Sequence, residues 1–402
     1  MQATDEPPHG GPGYRTVVAG LALGQTLNWA ILYYGFSSFV LPMVRELGWD
    51  KPTLMGAFTL GLLVCGLANY AVGAAIDRGH GRAVMAIGCV LGGLACGAWA
   101  LATQPWMLYA ALALAGVAMA MTLYEPAFAV LTKRYPTRYR EGITALTLVA
   151  GFASTVSFPT CALLINALGW RGALGVMAAT MVLLMAPLHA WLLRGPALGP
   201  VARTADAQAD ATLHEALRHR PFWLLTLAFV LYALGSTAVW AHVMPALAAQ
   251  GLSEAQALAV VVWVGPAQVA GRLAQAWLGH GVSLHRLGVV VMLGLPLALT
   301  LLALGQGLAT MLVFALVFGL ANGLVTIVRG ALVPEYFGRA HIGRIGGLMS
   351  GVSLVARAAA PVTAAALLVG LGSYPQVWLA LAALAVLGAL AFAAAGAPGQ
   401  RS

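Results

Sequence analysis

The sequence predicts an all-α membrane protein: twelve transmembrane helices in two pseudo-symmetric six-helix bundles. Three observations carry this. Of the 402 residues, 61% are hydrophobic and 8% charged, against about 25% charged in an ordinary soluble domain. The chain divides into twelve apolar segments, each close to the roughly 20 residues that cross hydrocarbon as a helix. The second half also repeats the first at a nearly constant offset. These runs are long, unbroken and rich in Ala, Leu and Gly, so the backbone must satisfy itself within each helix, which excludes a barrel of short alternating strands.

Taken in order, residues 1–13, MQATDEPPHGGPG, are a polar tail without the basic start and cleavage site of a secretory signal, so the first helix is expected to persist. The first bundle occupies 14–194. Helix one, near 16–44, carries Gln25 and Asn28 on one face, with Tyr33 and Tyr34 beyond them. Helix two, 52–76, carries Asn69 and runs into VGAAIDRGHGRAV at 72–84. Helix three, 83–103, is uncharged; helix four, 107–132, holds Tyr124 and Glu125 in LYEPAFAV; helices five and six cover 143–168 and 172–193. Residues 195–220 are the longest polar interval. There Thr212 and Glu215 have the spacing of a capping box ahead of LHEALRHR, which predicts a short amphipathic helix on the cytoplasmic surface.

The second bundle occupies 221–396. Helix seven, 222–247, carries Trp240 and His242 ahead of Pro245. Helix eight, 256–278, has Gln268, Arg272 and Gln275 on one face; helix nine, 287–306, is uncharged. Helix ten, 309–333, aligns Asn322, Thr326 and Arg329, and helix eleven, 345–369, aligns Ser350, Ser353 and Arg357. Helix twelve, 375–395, precedes the tail 397–402. His242 reads as a satisfied interfacial histidine, not a proton carrier. The four cysteines, Cys65, Cys89, Cys96 and Cys161, lie in apolar segments without metal-like or CxxC spacing and read as packing residues, and no metal site is expected.

The repeat sets LPMVRELG at 41–48 on MPALAAQG at 244–251, matching Pro42 to Pro245 and Gly48 to Gly251. It sets TLVAG at 147–151 on SLVAR at 353–357, with Gly151 opposite Arg357, and it places Arg329 as the counterpart of Glu125. Orientation follows from the 21 basic residues. Fifteen lie in loops after even-numbered helices or at the chain ends, Arg203 and Arg401 among them, and three in loops after odd-numbered helices. Both termini are therefore expected in the cytoplasm. The net charge of +9 largely reflects this asymmetry, so no nucleic-acid partner is implied.

The loop VGAAIDRGHGRAV resembles the signature loop of the major facilitator superfamily: Gly73 stands four residues before Asp77, and Arg78, Gly81 and Arg82 follow. The spacing from Arg78 to the last Gly-Arg pair departs by one residue, and the degraded second copy has His280 in the place of Asp77. The resemblance covers 14–396 and implies a major facilitator fold whose two bundles rock about a central cavity, with helices three, six, nine and twelve outermost and no cofactor. It further implies that Asp77 sits near the start of helix eleven in one conformation. Gly73, Asp77, Arg78 and Arg82 are accordingly expected to serve conformational switching and not substrate contact.

The remaining basic residues, Arg272, Arg329 and Arg357, lie inside spans, where each charge costs about 2.5–3.5 kcal/mol on insertion scales. Arg357 falls near mid-helix, whereas Arg272 and Arg329 lie roughly 9 and 6 Å from the cytoplasmic ends of their helices and have snorkelling open to them. With Glu125 the set carries +2, a surplus suited to an anion, and a guanidinium bonds carboxylates bidentately. The alternative is that each arginine bonds backbone carbonyls or pairs with Glu125. Residues 265–279, GPAQVAGRLAQAWLG, are similar to the eighth helix of monocarboxylate transporters and oxalate:formate exchangers, where an arginine at the position of Arg272 binds carboxylate. Arg357 resembles the basic residue of the exchangers' eleventh helix. Two departures stand out: Gln268 replaces the carriers' proton-accepting aspartate, and residues 1–50 contain no lysine.

The expectation is a secondary active transporter, a symporter or antiporter of the plasma membrane, moving a small carboxylate-like anion with a proton or counter-anion as a monomer. The substrate site is expected from Arg357, Arg272, Gln268, Gln25, Asn28, Asn69 and Ser353. Glu125 and Arg329 are either a proton-coupling site or a cytoplasmic gate. A drug or siderophore exporter of the same fold and a non-transporting receptor are the rival readings. An enzyme is not expected, because no nucleophile, base and orienting group recur at useful spacing, and no GxxxxGK[ST] loop is present to hold ATP.

Overall fold

Twelve spans are held in a chain whose described residues form only helices and their connections. The computed structural model describes residues 11–195, 210–278 and 282–397. Arg203, His280 and Arg401, most of both tails and most of the linker lie outside them. Eleven helical runs are long and apolar enough to cross a membrane. They are α1 (Tyr14–Leu47), α2 (Lys51–Asp77), α3 (Gly81–Ala100), α4 (Pro105–Arg134), the run Tyr139–Leu192, α7 (Arg220–Ala249), α8 (Glu254–Trp277), α9 (Leu284–Leu304), α10 (Gly307–Phe337), α11 (Ile342–Leu371) and α12 (Tyr374–Ala394). The run Tyr139–Leu192 has 54 residues, roughly 80 Å of helix, more than twice the thickness of hydrocarbon. It breaks at Gly169, whose φ of 69° and ψ of 168° are not helical. The two pieces, α5 (139–168) and α6 (170–192), are separate spans.

Local chemistry sets the helix starts. Asp50 caps α2 by accepting from the Thr53 N–H, with Pro52 in the first turn. Ser253 and Gln256 form a capping box on α8, and Ser283 caps α9. In the linker, Thr212 and Glu215 make the reciprocal pair that their spacing predicts, and the helix Leu213–Arg218 follows. The bonds from Thr212 hold the exposed Glu215 carboxyl below its ordinary value. The repeated octapeptides also fold alike: Pro42 and Pro245 lie inside α1 and α7, and Gly48 and Gly251 follow their ends at φ 68° and 85°.

The described residues divide into two compact units, one within Met1–Asp210 together with Gly338–Gly351, the other within Ala211–Phe337 and Val352–Ser402. The first ten residues of α11 thus pack with the first unit. In each unit, glycines bring helix backbones into contact where no solvent-driven squeeze operates. In the first unit, a Cβ added to Gly116 of α4 would overlap the Gly61 carbonyl of α2. There Gly343, Gly347 and Gly351 also meet the backbone of α2 at Gly73, Asn69 and Gly66. In the second unit, Gly319 and Gly323 of α10 meet the α8 backbone at Val264 and Gln268.

The three atoms nearest a Cβ at Gly116 are all backbone, so the closest contacts have no side chain to yield. Gly116→Leu is expected to cost about 1–3 kcal/mol and to lower the thermal unfolding midpoint of the detergent-purified protein by several degrees. Gly97→Ala, with nothing within 4 Å of the added Cβ, leaves that midpoint unchanged or slightly raised.

Candidate functional site

In the second unit the polar groups lie on α7, α8, α10 and α11. The α8–α10 glycine contact places the Gly323 carbonyl 3.1 Å from Arg272 Nε, which donates to it. Arg272 is only 4% exposed, and its Nη1 is buried with no hydrogen-bond partner among the described residues. Snorkelling, which its place on the helix allowed, is therefore not what the side chain does. The backbone-carbonyl alternative is met by one guanidinium nitrogen and leaves Nη1 unbonded. Gln268, one turn earlier, is half-buried.

Arg357 stands in the middle of α11, half-buried, and makes no hydrogen bond or ion pair with any described residue. Pro361, one turn on, has no N–H to give the Arg357 carbonyl. Tyr232 of α7 is 5% exposed, and its hydroxyl has no partner among the described residues. Little in the sequence marks Tyr232, an aromatic residue in an apolar run with only Ser236 as a polar neighbour at helical spacing. Ser353 is buried. Arg329 is half-buried and lies eight residues before the end of α10, about 12 Å, twice the expected depth because the helix runs on to Phe337. Asn322 and Thr326 turn back to the carbonyls of Phe318 and Asn322 on their own helix. His242 is satisfied as expected, by the Pro361 carbonyl at 3.1 Å and the Tyr374 hydroxyl at 3.4 Å. Trp240 is half-exposed and meets Phe318 at 5.8 Å between rings.

In the first unit, Gln25 and Asn28 are fully buried, and both side-chain amides donate to the Thr122 carbonyl of α4, at 2.6 and 3.3 Å. The cavity-facing placement expected for them is not what the structure has; they cross-link α1 to α4. Asn69 is buried, with its backbone against Gly347. Tyr33, Tyr34 and Tyr124 cluster around Trp29, the Trp29–Tyr124 rings 5.0 Å apart. Glu125 is half-buried and accepts a 3.0 Å hydrogen bond from Ser350 Oγ in the first turns of α11. All four cysteines are buried.

The signature loop is tied to the start of α11, as the resemblance implies. Asp77 Oδ1 and Oδ2 accept from the N–H groups of Gly343 and Arg344, both at 2.9 Å. A carboxylate at a helix N-terminus meets orphan N–H groups and the positive end of the dipole. The backbone approach of Gly73 to Gly343 makes this reach possible. Lys133, countable in the sequence only as one more loop charge, pairs with Asp77 Oδ1 at 3.2 Å and donates to the carbonyls of Asp77 and Ala340. Asp210 adds a second carboxylate, accepting from the N–H groups of Arg339 and Ala340 just after Gly338, whose φ is 78°. Arg78 and Arg82 are exposed.

Residues 21–299 match the family model of the Major Facilitator Superfamily. The chain belongs to the major facilitator superfamily. Among its relatives, it is 25% identical to monocarboxylate transporter 13 of Rattus norvegicus over 84% of this chain and 78% of that protein. It is 29% identical to monocarboxylate transporter 11 of Mus musculus over 87% of this chain and 78% of that one. Among solved structures it is similar in fold to the human organic anion transporter MFSD10, at a TM-score of 0.76 and 16% identity over 95% of this chain and all of that one. The transporter FucP in its outward conformation gives 0.72 at 13% identity, over 94% and 98%. The chain is thus a multi-pass membrane transporter of the superfamily, related to the monocarboxylate transporters.

Asp77→Asn keeps the size but offers an amide N–H group to N–H donors. Losing a charged hydrogen bond costs about 1.5–3 kcal/mol, so the variant is expected to slow uptake about tenfold or more in proteoliposomes. Uptake kinetics equal to wild type would show that the Asp77 contact plays no part in the cycle.

Proposed function

We propose that this transporter is a secondary active carrier of small carboxylate anions, working by alternating access. The observation that carries the reading is Arg272, 4% exposed and with a buried Nη1 that has no partner among the described residues. A charged donor left so in a low-dielectric site is costly, and an anion that accepts from it removes that cost. Arg357, without an ion pair among the described residues, and the buried hydroxyl of Tyr232 offer further donors in the same unit. The names of two groups of similar proteins, monocarboxylate transporters and an organic anion transporter, point the same way. Gln268 and Ser353 offer further polar groups in the second unit; Gln25 and Asn28 are disfavoured for solute contact by their burial and shared bond to Thr122.

Glu125, a carboxylate in the interior of α4, is the residue proposed to carry the coupling proton, its carboxyl bridged to α11 by Ser350. The protein is proposed to lie in the plasma membrane as a monomer, with both ends of this chain cytoplasmic, as the basic residues favour.

Purified protein in liposomes is expected to take up at least one member of a panel of labelled mono- and dicarboxylates with saturation. Acidification should accompany uptake, and Glu125→Gln should abolish that acidification. Arg272→Gln should lower kcat/KM about 10- to 100-fold, the equivalent of one charge-assisted hydrogen bond. Carboxylate uptake by none of the panel, or uptake indifferent to both Arg272→Gln and Arg357→Ala, would contradict the reading. The second result, joined to flux of apolar cargo, fits an exporter.

A further inference from the structure

Helix α4 is interrupted part-way along its length, and the sequence shows why. In a continuous helix the Thr122 carbonyl accepts from the N–H of residue 126, but residue 126 is proline and has none. The helix accordingly stops at Thr122, passes through Leu123 at φ −81° and ψ −155°, and restarts at Tyr124. The freed carbonyl lies in the apolar core, where an unmet acceptor is destabilising. Gln25 Nε2 and Asn28 Nδ2 take the place of the missing donor, at 2.6 and 3.3 Å, from side chains that are themselves fully buried. Glu125 stands three residues beyond that carbonyl, in the first turn of the new helix segment.

We infer that Gln25 and Asn28 are positioning residues for Glu125: by replacing the donor that Pro126 removes, they hold the break that sets where the carboxyl stands. The inference rests on the proton role proposed above for Glu125. Their part in transport is exerted through α4 and not by touching the solute. Ser350 of α11 donates to Glu125. His189 of α6 packs against α1 at Gly24, next to Gln25, and its Nδ1 lies 3.4 Å from the Cys89 thiol of α3 and 2.9 Å from the Met185 carbonyl. Cys89 and His189 are thus the titratable groups behind the amide pair, and a test must separate them from Glu125.

The measurement needs no substrate. Infrared difference spectra of the purified full-length protein, stepped through pH, follow the protonated-carboxyl band, which is assigned to Glu125 by its loss in Glu125→Gln. Gln25→Leu, and the milder Asn28→Ala, are expected to move the midpoint of that band by about one pH unit, a tenfold change in proton affinity. Pro126→Ala restores the helical donor, so adding Gln25→Leu to it should produce no further movement. In the Glu125→Gln background neither amide variant should alter the remaining spectrum, which excludes His189 and Cys89 as the source. A Glu125 band that titrates in wild type and is unmoved by both amide variants would overturn this inference and leave the proton role standing. Absence of any titrating Glu125 band in wild type would overturn both.

Discussion

Hydrocarbon supplies no hydrogen-bond partners, so every polar group placed within it must find one in the protein or in what the protein carries. Most features of this transporter's core are solutions to that constraint. Thr122 loses its helical donor to Pro126 and receives two amides from α1 in exchange. Thr26, Thr226 and Thr300 return their hydroxyls to the carbonyls of Ala22, Phe222 and Pro296 on their own helices. Arg272 is met only in part. The glycine contact between α8 and α10 delivers one carbonyl to Nε and none to Nη1. Retaining a charge of about 2.5–3.5 kcal/mol insertion cost without full internal satisfaction is explicable if an anion supplies the rest.

The same logic, moved to the ends of the helices, governs the start of α11. Its orphan N–H groups are met by Asp77, and the turn before it by Asp210. Lys133 then balances the Asp77 charge and bonds the Ala340 carbonyl. Gly343, Gly347 and Gly351, four residues apart on one face, let the two backbones meet closely enough for these short bonds. A contact made of charge, dipole and bare backbone can be strong when formed and can release without repacking large side chains.

Much of this architecture was legible in the sequence because it follows from local rules. Twelve apolar runs, the Thr212–Glu215 capping box and the Gly48–Gly251 repeat all depend on residues adjacent in the chain. Asp77 was legible through its motif. The Tyr139–Leu192 run divides at Gly169, a break the sequence boundaries of 168 and 172 anticipate. What escaped depends on neighbours distant in sequence. Whether Gln25 and Asn28 face a cavity or another helix is decided by the carbonyl that Pro126 frees about a hundred residues later. Lys133 could not be told from the other loop charges without Asp77 beside it. Arg329 lies deeper than a helix end at 333 would place it, because α10 continues through Pro334 to Phe337. Tyr232 has only Ser236 beside it at helical spacing, too little to mark a site, and its hydroxyl is without a partner among the described residues.

The account turns on Arg272 completing its hydrogen bonds with a carboxylate, and ligand-induced stabilisation tests this directly. Thermal unfolding of the purified protein would be followed across mono-, di- and tricarboxylates, with a ligand at a hundredfold its Kd stabilising by about 2.7 kcal/mol. At least one carboxylate should raise the midpoint of wild type and fail to raise that of a folded Arg272→Gln variant. A midpoint that no carboxylate moves, or that the same carboxylate moves equally in both proteins, would contradict the claim.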